Sequence, residues 1–99
     1  MTRTTLLAPL LALALLASPA GAACYADYKA KHKQDNPLRL QYGVIQLGDA
    51  ACDNQRAAQA EVAARIGRDG WQLLNVMSLF GPEGLEQRKQ RAGDYFLRY

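Results

Sequence analysis

The side chains in this sequence that could do chemistry are few: two cysteines, one histidine, two close pairs of acids and one run of bases. Cys24 and Cys52 are the only thiols among 99 residues. A zinc site would need more soft ligands than two cysteines and a single histidine provide. In an exported chain of this size, two cysteines are most simply one disulfide. The loop it would close is long enough to stabilise the fold by about 3.5 kcal/mol in the chain-entropy account. His32 stands among Lys31, Lys33 and Asp35 and reads as a solvated residue. No serine or cysteine is ordered with it as a nucleophile and base would be. Asp49 with Asp53, or Glu83 with Glu86, could serve as general acid and base. Neither pair lies beside an apolar wall that would shift a pKa, so both read as solvated loops. Asp49 to Asn54 also lacks the alternate-position oxygens of a calcium loop. Arg88, Lys89 and Arg91 form the one basic patch, with Arg65 and Arg68 as candidate neighbours. Such a run can meet phosphates, yet is usually a soluble face. No catalytic residue, cofactor or metal site is expected.

Export rests on residues 1–22. Arg3 supplies a positive n-region, Leu6 to Ala17 an apolar h-region, and Ala20-Gly21-Ala22 a small-residue cleavage site. The apolar part is shorter than the roughly 20 residues that span a bilayer. Gly21-Ala22-Ala23-Cys24 also resembles a lipobox, which would make Cys24 a lipid anchor. That pattern wants a leucine-like residue where Gly21 stands. The remaining chain, 23–99, is one small domain, near the size at which a core alone barely suffices. Without Arg3 it keeps 11 bases against 9 acids, too small a surplus to call for a polyanion. Nucleic acid is not expected as a partner, nor is a membrane surface.

The elements that must position these residues are organised around Trp71 to Phe80, the richest apolar run after the leader. Gly70 reads as the left-handed stop of a preceding helix. Alternation puts Trp71, Leu73, Met77 and Leu79 on one side of a strand and Leu74, Val76 and Phe80 on the other. Leu38 to Leu47 reads as a second strand, with Leu38, Leu40, Tyr42 and Val44 on one face. Arg39, Gln41 and Gly43 take the other face, which Ile45 and Leu47 make apolar toward its end. Between the two strands, Asp53 or Asn54 can cap a helix reaching about Arg68, with Ala58, Val62 and Ile66 inward. Cys24 to Lys33 suits helix or strand, with alanine and lysine favouring helix. Gln34 to Pro37 is a turn. Gly81 to Gly84 is a break, Leu85 to Arg91 a polar linker with a turn or two of helix, and Asp94 to Tyr99 a closing strand. The expected arrangement sets that last strand between the other two, antiparallel to both.

Strand, alanine-rich helix, Gly70-Trp71-Gln72-Leu73-Leu74 and a terminal aromatic strand together resemble a bacterial group of short domains of unknown function. Their mark is Gly-Trp-Glu-Leu-Val followed by a final strand. The resemblance covers roughly residues 38–99, with Gln72 where the acid stands and a longer connection at Leu85 to Arg91. It implies a fold and no chemistry.

The expected class is therefore α+β, a small antiparallel sheet of three or four strands with one main helix on one face. One helix leaves the other face open, and Leu74, Val76, Phe80, Ile45, Leu47 and Phe96 are expected there. An apolar patch of that kind on a lone domain calls for cover. The expected behaviour is that of a non-enzymatic exported, periplasmic protein, binding a second copy as a homodimer or a protein partner through Leu74, Val76, Phe80 and Phe96. The alternative is a small-ligand carrier or minor enzyme with a pocket between helix and sheet near Trp71. A third reading is an envelope-surface module using Arg88, Lys89 and Arg91.

Overall fold

The computed structural model describes residues 23–99, and the expected leader lies outside the described residues. Three strands, β1 (Cys24–His32), β2 (Leu40–Leu47) and β3 (Trp71–Phe80), form an antiparallel sheet in the order β2-β1-β3. Helix α1 (Gln55–Gly67) covers one face, and the short α2 (Glu86–Ala92) packs on the other. The class is α+β, as expected.

β1 takes the centre of the sheet, against the helical preference of its alanines and lysines. Ala26, Tyr28 and Ala30 point toward α1 and are fully buried, while Tyr25, Asp27, Lys29 and Lys31 alternate outward. Pairing on both edges outweighs a propensity of a few tenths of a kcal/mol per residue. The two alanines let α1 sit close, and the Tyr28 ring fills the space over Gly43. A Cβ at Gly43 would run into the Tyr28 ring and hydroxyl, so glycine is required by this approach. The Tyr28 hydroxyl donates to Gln41 Oε1 inside the core.

α1 begins as its sequence suggests. The Asn54 side chain accepts from Ala57 N at 2.9 Å, and Ala58, Val62 and Ile66 are the buried stripe. Gly70, at φ 85°, turns the chain into β3.

Two further expectations are overturned. The segment Asp94 to Tyr99 is no inner strand. Gly93–Tyr95 is a 3-10 turn after α2, and a single parallel bridge joins Phe96 to Val44 on the outer edge of β2. Leu97 N donates to Val44 O at 2.8 Å, and Leu97 then turns off at φ 57°, which ends the extended run. The second correction concerns β3. Irregularities opposite Asp27/Tyr28 and Lys29/Ala30 insert Met77 and Leu74 as extra residues. The inward set becomes Trp71, Leu73, Val76 and Leu79, with Val76 paired to Tyr28 under α1. Ile45 and Leu47 lie under α1 as well. Val76, Ile45 and Leu47 are therefore core residues on the helix face, apart from Leu74, Phe80 and Phe96.

Candidate functional site

The outer face is built on Asp27, which is 5% exposed at the middle of the central strand. Its carboxylate collects donors from three elements. Ser78 Oγ on β3 donates at 2.6 Å, Tyr42 Oη on β2 at 2.8 Å, and Arg88 Nε on α2 at 3.1 Å. Burial alone raises the carboxyl's pKa. The hydrogen bonds from Ser78, Tyr42 and Arg88, with the Arg88 charge, outweigh it and hold Asp27 below its ordinary value. Tyr42 is pushed up to about 12, first by burial and then by its bond to Asp27 and that residue's charge. The cluster is thus an anion held by three donors of its own chain, and through Arg88 it fastens α2 to the sheet.

Arg88 is the bolt of that attachment. It donates to Gly84 O at 2.8 Å and lies 4.0 Å from the centre of the Phe80 ring. Arg91 stacks 4.1 Å over Tyr42, and Lys89 stands 6.0 Å from Phe96. Tyr25 stacks on Phe80 with centroids 6.0 Å apart. Phe80 and Phe96 are consequently half-buried beneath their own chain. Of the basic run, Arg88 is held by Asp27, while Lys89 and Arg91 stay exposed and outside any ion pair among the described residues. Arg65 is on the opposite face, bound to Glu61 at 2.7 Å, to Gln46 O at 2.6 Å and to the Tyr99 carbonyl. Arg68 is exposed at the end of α1.

α2 covers only part of the outer face. Leu40 (66% exposed) and Leu74 (50%) remain open. With Lys29 and the Tyr42 ring they surround a shallow depression of about 210 Å³. Of the four residues expected to form an interaction face, only Leu74 is exposed.

Trp71 anchors the other face. It is 5% exposed and meets His32 and Tyr95 edge-on at 4.9 and 5.7 Å, with Arg39 at 5.3 Å from its ring centre. His32 is half-buried: its Nε2 reaches Asp69 O at 3.1 Å and its Nδ1 takes the Gln34 N–H at 3.2 Å. Those partners place the proton on Nε2. Tyr99 stacks on Tyr95 and donates to Asp69 at 2.8 Å. Burial first, then the bond to Asp69, raises its pKa. Beside Trp71 an open groove of about 540 Å³ runs between α1 and β3, lined by Ala60, Ala63, Gly67, Trp71 and Leu73, with Lys33 and Arg56 at its rim.

The cysteine sulfurs lie at disulfide distance, 1.96 Å, with Cα atoms 5.6 Å apart. Asp49, Asp53, Glu83 and Glu86 are all exposed, and none is held in an ion pair among the described residues. The sequence reading passed over Asp27 and Ser78. An acid amid alternating residues of a tentative helix carries no mark of burial, though its place between Ala26 and Tyr28 fits an outward strand position. No family model, curated protein or solved structure matches this chain.

Proposed function

We propose that this is an exported, periplasmic, non-catalytic protein that acts by associating, through the uncovered part of its sheet, with a second copy or another exported protein. The observation that carries this reading is the pair Leu40 and Leu74, both at least half exposed on the face that α2 only partly covers. Exposed leucines that line one depression mark a contact surface. Export is supported by the leader-like residues 1–22 and by the disulfide-distance cysteines, which suit an oxidising compartment. The same cysteine pairing favours a free chain over a lipid anchor at Cys24. Among the described residues no helix is long and apolar enough to cross a membrane.

The experiment is fluorescence-detected sedimentation of labelled 23–99 in periplasmic extract. Wild type is expected to sediment in a larger species, and Leu40→Glu/Leu74→Glu as a free monomer. Identical boundaries for the two would overturn the reading.

A further inference from the structure

The open edge of β3 carries an inference that goes beyond the association reading and concerns a different surface. Lys33 N donates to Gly70 O at 2.8 Å, and His32 N is taken by Arg39 O on the β2 side at 3.0 Å. Hydrogen-bonded and non-bonded pairs alternate along an antiparallel ladder. The Lys31–Gln72 pair is then bonded, while Trp71 and Leu73, opposite His32 and Ala30, turn their N–H and C=O groups away from β1. Those groups face the groove beside α1. Further along, the Val76 carbonyl is closed off by Gln55 Nε2 at 3.3 Å. The edge is therefore open at Trp71 and Leu73, with the Leu74 bulge between them and the capped Val76 carbonyl.

Edge strands are usually protected by charge, proline, bulges or brevity, and the β3 bulges at Leu74 and Met77 lie beyond Trp71 and Leu73. β3 has ten residues, WQLLNVMSLF, with neither charge nor proline. The groove walls beside it are small, Ala60, Ala63 and Gly67, which leaves room for another backbone. Charges stand at the groove's two ends instead. Lys33 is next to Trp71, and Arg56 follows Gln55 at the Val76 end. Both are exposed, neither is ion-paired among the described residues, and no acid lines the groove.

We propose that an extended peptide segment of another exported protein, acidic at both ends of a core of about five residues, adds to β3 as a fourth strand. Its main chain takes the free N–H and C=O groups of Trp71 and Leu73. Its acids meet Lys33 and Arg56. A second copy of this chain fits less well, because β3 has no acid to offer Lys33 and Arg56.

The probe is the peptide Glu-Glu-Val-Thr-Val-Thr-Val-Glu-Glu, blocked at both ends, against the same core flanked by lysines. It is titrated into 15N-labelled 23–99 while amide shifts and the emission of Trp71, the only tryptophan, are followed. The glutamate peptide is expected to bind, with the largest shifts and new exchange protection at Trp71 and Leu73. Lys33→Glu/Arg56→Glu, both exposed positions, should weaken it by roughly tenfold. Absence of binding up to millimolar peptide overturns the proposal. So do equal binding of the lysine-flanked peptide, shifts confined to the outer face, or protection of Trp71 and Leu73 by dimerisation without peptide. Faster sedimentation that depends on Leu40 and Leu74, with no peptide binding at β3, would sink this inference and leave the association reading standing.

Discussion

The carboxylate of Asp27 accepts hydrogen bonds from β2, β3 and α2 while almost wholly buried. Its pKa in the folded chain lies below the unfolded value of about 3.9. A group shifted downward contributes stability above its unfolded pKa and loses it as the pH falls through the folded one. Stability from this source should hold from about pH 7 to pH 5 and drain away below about pH 4. Removing one partner of a buried ion pair leaves the other unpaired, at a cost of about 3–5 kcal/mol. Asp27→Asn should therefore lower stability at neutral pH and flatten the acid limb of a plot of unfolding free energy against pH, measured in urea. Parallel acid limbs for variant and wild type would show that Asp27 is not the titrating anchor.

Among the elements, β3 shows most plainly what is legible in a sequence and what is not. Its existence, length and opening tryptophan follow from an apolar run bounded by Gly70 and Gly81. Its facing does not, because each of the two bulges shifts the alternation by one residue and no side chain announces an inserted position. α1 was legible because Asn54 and the Ala58–Val62–Ile66 stripe are local signals. β1 and the C-terminal segment depend on what pairs with them. An alanine- and lysine-bearing stretch became the central strand, and an aromatic alternation ended as one bridge and a turn. For the same reason the Asp27 cluster was hidden: it unites residues from β1, β2, β3 and α2, and no local spacing encodes that meeting. The bulged register makes a sharp contrast. Val76→Asp buries a charge under α1 and should cost more than about 3 kcal/mol, enough to unfold a domain this small. Leu74→Asp, two residues away, should leave the melting temperature within a few degrees. If both variants melt like wild type, or both unfold, the facing described for β3 is wrong.

For the molecule as a whole, the Cys24–Cys52 pairing ties the start of the central strand to the loop before α1, across 28 residues of sequence. A crosslink of that span stabilises by about 3.5 kcal/mol in the chain-entropy account. Cys24→Ser/Cys52→Ser should lose stability of that order, and the processed wild-type protein should start at Ala23 with a mass two hydrogens below the reduced form. An acylated N-terminal cysteine, or two thiols alkylated without reduction, would contradict both the pairing and the free, exported chain. The central claim is that this chain works by contact through the uncovered half of its outer face. Its most direct measurement is site-specific photo-crosslinking in the exporting cell, with the reactive group at Leu40 and, as control, at Arg68. Discrete adducts from position 40 and none from position 68 are the predicted result. Adducts from neither position, or indistinguishable adducts from both, would contradict it.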